Sequence, residues 1–152
     1  MITKEQYIQS LVWEIQIIKH LAEKIDPSKL DYRPTPKQRS VLELLQYMGQ
    51  SIITSISANI AGDDKKYIEL SKAKDSITYE NFIEKMDAQA KFVQETVGAL
   101  SDEDLNKEVT LFGNTATLAM QLLGVMRSVA AYKMQLFLYI KACGNDAIGT
   151  SN

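Results

Sequence analysis

The stretch Tyr32-Arg33-Pro34-Thr35-Pro36-Lys37-Gln38-Arg39-Ser40-Val41-Leu42-Glu43-Leu44-Leu45-Gln46-Tyr47-Met48 holds a joint and the start of a helix in one run. Pro34 and Pro36 keep the chain extended, because the proline ring fixes φ and removes a backbone donor. Ser40 and Glu43 then form a capping-box pattern: the Ser40 hydroxyl accepts from the Glu43 amide, and the Glu43 carboxylate reaches back. Behind this start, Val41, Leu45, Met48, Ile52 and Ile56 recur on one helical face. Ala61-Gly62 closes the helix, since glycine takes the left-handed conformation without steric cost.

The same spacing recurs on both sides. From Thr3 to Ile25 the apolar residues Ile8, Leu11, Ile15, Ile18, Ala22 and Ile25 alternate three and four apart, and Val12, Ile17 and Leu21 widen the stripe. Pro27 stands where this helix should stop. A third helix is expected after Thr78 as N-cap, with Ile83, Met86, Ala90, Val93, Val97 and Leu100 inward. A fourth should run from about Ala116 to Cys143, with Leu118, Leu122, Val125, Val129, Tyr132, Leu136 and Ile140 inward and Gly144 at its end. Between the second and third, the charged segment from Asp63 to Ile77 should cross the outside, with one helical turn around Tyr67 to Leu70. Ser101-Asp102-Glu103-Asp104 predicts one further turn. The β-branched residues around Gly113-Asn114, within Glu108 to Thr117, suit a small hairpin. These elements predict an all-α fold: a four-helix bundle with a long crossing connection, residues 1–152 forming a single domain.

Composition bounds the function. A chain of 152 residues with 45% hydrophobic and 24% charged residues is ordinary for a globular domain. Its net charge is −2 and no basic stripe dominates, so no nucleic-acid partner is expected. The start lacks the pattern of a secretory signal, and no apolar run is long enough to span a bilayer. A cytoplasmic location without membrane contact follows by default. Cys143 is the only cysteine and His20 the only histidine. An internal disulfide, a cysteine zinc site and the Glu-x-x-His pairs of di-iron bundles are therefore excluded.

Two segments carry a family resemblance. The stretch Arg33-Pro34 followed by Ser40-Val41-Leu42-Glu43-Leu44-Leu45, and the stretch Ser128-Val129-Ala130-Ala131-Tyr132-Lys133-Met134-Gln135-Leu136, resemble the second and last helices of DinB-like four-helix bundles. In that family one histidine on the second helix and two, four apart, on the last commonly hold a divalent metal. Residues four apart share a helix face, and a facing helix supplies the third nitrogen. Three imidazoles leave a coordination position open. The matching positions here read Tyr47, Ser128 and Tyr132. Arg39 stands where an aromatic residue, usually Trp, often precedes the Ser. Lys133 keeps a positive charge, and Gln135-Leu136 stand as in the family.

Tyr, Ser and Tyr suit a divalent metal poorly, because phenols (pKa about 10) and alcohols stay protonated at neutral pH. No metal and no cofactor are expected. Two readings of the position remain. In one, Tyr47 and Tyr132 fill the volume left by the imidazoles and their hydroxyls bond to each other, Ser128, Gln135 or water. In the other, Tyr47, Ser128, Tyr132 and Gln135 line a pocket for a polar ligand. Elsewhere His20 reads as a solvated histidine and Cys143 as a small apolar filler. Glu5, Glu14, Glu23, Glu80, Glu84 and Glu95 read as solvated faces. The sequence thus favours a metal-free DinB-like protein of unknown specific function. It would bind a small molecule or protein partner, and pair as a homodimer through exposed apolar residues such as Trp13, Ile17 and Met120. The alternative is a transferase or hydrolase acting on a thiol or other small molecule, as the resemblance implies.

Overall fold

The computed structural model describes residues 2–145 and 148–149. A capping box between Thr3 and Gln6 starts helix α1 (Lys4–Ala22), and Tyr7, Leu11, Ile15, Ile17, Ile18 and Leu21 are its buried face. The helix ends short of Ile25, because Asp26 caps a 3₁₀ turn over Pro27–Lys29. Ile25 still reaches the core. Helix α2 (Val41–Ala61) begins with the Ser40–Glu43 capping box and ends at Gly62, whose φ of 59° is left-handed. All five residues of its expected stripe are buried.

The crossing segment holds more helix than its sequence predicts. Helix α3 (Asp64–Ser71) spans two turns and passes into a 3₁₀ segment, Lys72–Ser76. Tertiary contacts explain the extra length. Asp63 caps the Lys65 amide, Asp64 accepts from the Phe112 amide at 2.7 Å, and Tyr67 packs edge-on against Phe112. The segment then turns inward and buries Ile77 against α2 at Gly49. A Cβ at Gly49 would lie 2.9 Å from Ile77 Cδ1 and 3.2 Å from Ile77 Cγ2, so the absence of a side chain there favours this close crossing.

Helix α4 (Phe82–Phe92) starts at Asn81, not Thr78. Thr78 and Asn81 instead exchange hydrogen bonds across the preceding turn. The helix continues as one π-turn, Val93–Val97, which keeps Val93 and Val97 both buried. A Ser101–Asp104 capping box opens the short helix α5 (Asp102–Asn106). The hairpin pairs strand β1 (Glu108–Leu111) with strand β2 (Asn114–Thr117), Leu111 facing Asn114. Its turn is Phe112-Gly113, one residue earlier than the sequence suggested. Both turn residues have positive φ, 49° and 76°, as a two-residue hairpin turn requires. Helix α6 (Leu118–Ala142) follows at once, capped by Thr117.

Side-chain contacts fix the topology. Tyr7 donates to the Leu122 carbonyl and Glu14 pairs with Lys133, so α1 and α6 run parallel. Tyr139 reaches Arg39 and Tyr132 packs on Tyr47, so α6 opposes α2. Gln46 bonds Ile77 while Gln89 bonds Ile52, so α4 runs with α2. The four long helices are thus up, down, down, up, and α3 with Lys72–Ser76 carries the crossing. Among the described residues no helix is long and apolar enough to cross a membrane.

Candidate functional site

The faces of α2 and α6 bring Tyr47 and Tyr132 together, with ring centroids 4.7 Å apart and planes inclined by 52°. Tyr47 lies nearly two helical turns into α2, and the capping box at Ser40 sets where the helix begins. Both rings are half-buried. The void beside Tyr132, bounded by Ile18, Met48, Ile52 and Val129, measures only about 10 Å³. That is about the least space that holds one water, so this void is too small for an organic ligand.

Outside the rings the geometry changes. The Arg39 guanidinium lies 4.4 Å from the Tyr47 centroid and 5.9 Å from that of Tyr132. Both distances are within cation–π range. Arg39 is held from behind: Gln135 donates to the Tyr139 hydroxyl at 2.8 Å, and that hydroxyl donates to the Arg39 carbonyl at 3.0 Å. Arg33 ties the other end of the loop, giving one bond to the Gln38 carbonyl and two to Glu43. Between this loop, the first turns of α2 and Lys74 lies an open cleft of about 380 Å³, with Tyr47 and Arg39 in its wall.

The four sequence-predicted residues therefore part company. Tyr47 and Tyr132 meet. Ser128 is exposed and turns its hydroxyl onto the Gly124 carbonyl at 3.1 Å. Gln135 acts one step removed, through Tyr139 on the Arg39 backbone. Arg39 is the group that sequence reasoning passed over as a site residue. Its signal was present as the replaced aromatic before Ser40, and the structure converts that replacement into a cation stacked on Tyr47.

The donor set does not fit a divalent metal. Burial raises the Tyr47 phenol well above its ordinary range, and the neighbouring phenols of Tyr67 and Tyr132 raise it further. Ser128 has committed its proton to a carbonyl, and Arg39 places a positive charge over the ring that would have to ligate a second one. Among the described residues no three His, Cys, Asp or Glu side chains converge as a ligand set.

The remaining candidates are structural. His20 is exposed, with Nδ1 3.6 Å from Glu23. Burial pushes the Cys143 thiol up, away from the thiolate a nucleophile needs. Glu14 is not solvated, as its sequence position suggested: it is half-buried and pairs with Lys133 at 2.6 Å, joining α1 to α6. Ile17 is buried and leaves the list of exposed apolar residues, whereas Trp13 is 64% and Met120 55% exposed. Gln89, fully buried, accepts from the Ile52 amide and donates to the Met48 carbonyl, both at 2.9 Å. It clips α4 to the α2 turn that follows Tyr47. A separate cavity of about 110 Å³ lies among Tyr7, Val97, Leu105 and Leu122, with walls that are almost wholly apolar.

The up-down-down-up arrangement with its crossing segment and hairpin is the fold of the DinB-like proteins. A solved DinB-like protein from Bacillus subtilis, YjoA, superposes with a TM-score of 0.80 at 19% identity, over 97% of this chain and 98% of that one. A DinB-like protein from Bacillus cereus superposes with a TM-score of 0.72 at 14% identity, over 92% of each chain. No family model matches the sequence, and no curated protein matches it. At these identities the likeness establishes the fold.

Proposed function

We propose that this protein is a metal-free DinB-like binding protein that takes a small polar molecule in the cleft over Tyr47. The observation that carries this reading is the Arg39 guanidinium 4.4 Å over the Tyr47 ring, at the place where the resemblance implies a metal. The cleft, at about 380 Å³, is within the usual range for small-molecule sites. The cytoplasm is the compartment that suits the chain. A thiol transferase or hydrolase is the competing reading. Its base would have to be a phenol such as Tyr47, whose pKa is raised rather than lowered. Exposed Trp13 and Met120 support a homodimer contact on α1 and α6.

Metal analysis of untagged protein, together with ligand titrations followed by NMR, tests the reading. The expected result is no stoichiometric divalent metal, and saturable shifts at Tyr47 and Arg39 that Tyr47→Ala abolishes. A stoichiometric metal lost in Tyr47→Phe/Tyr132→Phe would overturn it. Light scattering checks the dimer, which Trp13→Lys should dissociate.

A further inference from the structure

We infer that the ligand of this cleft is a small organic phosphate, a phosphate monoester bound by its dianionic head; the inference rests on the binding reading above and specifies its chemistry. Charge bookkeeping at the cleft is the starting point. Four cations stand in its wall, Arg33, Lys37, Arg39 and Lys74, against one carboxylate, Glu43. That carboxylate is already spent. Its Oε1 and Oε2 accept from the two ends of the Arg33 fork at 3.0 and 2.9 Å, and Oε2 accepts the Ser40 amide at 2.7 Å. Arg33 and Glu43 cancel. Among the described residues Lys37, Arg39 and Lys74 form no ion pair, so three positive charges face one cleft in a chain whose net charge is −2. Concentrating one sign against the sign of the whole chain focuses field on an anion.

The form of the anion follows from where the charges sit. Lys37 and Arg39 come from the loop before α2, and Lys74 comes from the 3₁₀ segment across the cleft. A tetrahedral phosphate offers three oxygens to cations on several sides, whereas a carboxylate presents one planar edge. Arg39 is ready for such a head. Its guanidinium lies over the Tyr47 ring, 4.4 Å from the centroid, with no hydrogen bond from its N–H groups among the described residues, and the Gln135–Tyr139 chain fixes its backbone in advance. The cleft of about 380 Å³ exceeds the volume of a bare phosphate, which leaves room for an organic group on the ester oxygen.

The test is calorimetric titration of the untagged full chain with phenyl phosphate, inorganic phosphate, phthalate and phenol, with NMR to locate the site. Phenyl phosphate should bind with one-to-one stoichiometry and shift Arg39 and Lys74. Its affinity should fall at least tenfold in Arg39→Gln and again in Lys74→Gln, both exposed positions that leave the fold intact by circular dichroism. It should also weaken as sodium chloride rises. Inorganic phosphate should bind more weakly, and phenol not at all. Equal affinity for phthalate would overturn the choice of phosphate over carboxylate. Saturable phenol binding that Tyr47→Ala abolishes, with no phosphate binding, would overturn the phosphate inference and leave the cleft reading standing. Binding of every probe unchanged by Tyr47→Ala and Arg39→Gln, or absent throughout, would overturn both.

Discussion

Replacing Gln89 by leucine should unfold this protein more easily by about 2 kcal/mol, through hydrogen bonds alone. Gln89 is 0% exposed and its amide meets four groups. Two contacts are strong, both at 2.9 Å: Oε1 with the Ile52 amide and Nε2 with the Met48 carbonyl. The Ile53 amide at 3.4 Å and Met86 Sδ at 3.2 Å add little. Each strong bond contributes about 0.5–1.5 kcal/mol net, which gives about 1–3 kcal/mol for the pair. Leucine keeps most of the volume, so the cavity contribution is small. The Met48 carbonyl also accepts from Ser51 Oγ at 3.3 Å and is not orphaned. The Ile52 amide lies inside the continuous helix α2, where the Met48 carbonyl one turn back is its regular partner, and that keeps the loss near the middle of the range. For a chain of 152 residues a loss of about 2 kcal/mol lowers Tm by roughly 4–8 °C. Urea unfolding followed by far-ultraviolet circular dichroism should show a lower midpoint with an unchanged slope. A Gln89→Leu variant as stable as the parent would refute the claim that this amide clips α4 to α2.

Breaking the Lys133–Glu14 pair with Lys133→Met leaves a half-buried carboxylate and should cost about 1–3 kcal/mol, most of it recovered in Lys133→Met/Glu14→Leu; a double-mutant cycle with zero coupling would contradict this. Glu43 titrates below its ordinary 4.5, first because Arg33 bonds it and then because the Ser40 amide does. A carboxylate held low in the folded state stabilises above the unfolded pKa, and that contribution is lost as pH falls through the folded one. Parent and Glu43→Gln should therefore differ most in urea midpoint near neutrality and converge in acid; a constant gap would count against the Arg33 contact. Gly113→Ala forces a Cβ into φ of 76° and should lose about 1–2 kcal/mol in thermal melts, whereas the same change at Gly98, with open space around it, should not.

The parts of the fold that were legible are those fixed by local chemistry. Ser40-Glu43, Ser101-Asp104 and Gly62 marked helix ends because a cap is a bond between near neighbours. The stripes of α1, α2 and α6 were legible because a buried face imposes its period on the sequence. What failed depended on partners far along the chain. Helix α3 buries none of its residues fully and is anchored by Phe112, 45 residues from Tyr67. Glu14 looked like any surface acid until α6 brought Lys133 alongside. Gln89 sits one position off the apolar line of α4, and nothing local shows that its amide faces another helix. Ser128 and Tyr132 share a spacing of four, yet Ser128 turns outward, because a side chain too short to reach α2 bonds its own helix.

The replacements at this site are physically coupled. A dication and a guanidinium that share one aromatic wall repel, at 4–5 Å, by on the order of several kcal/mol even at a high effective dielectric. Arg39 over Tyr47 would therefore oppose a divalent metal at this position. Conversely, without a metal the phenols need a cover, and a planar cation supplies one while keeping its edge donors for solvent or a ligand. Where the resemblance implies a cation held by neutral nitrogens, this chain has a guanidinium over Tyr47, and the ligand we propose for the cleft is an anion. Gln135 supports this arrangement from behind: its amide serves Tyr139 and, through it, the backbone of the arginine.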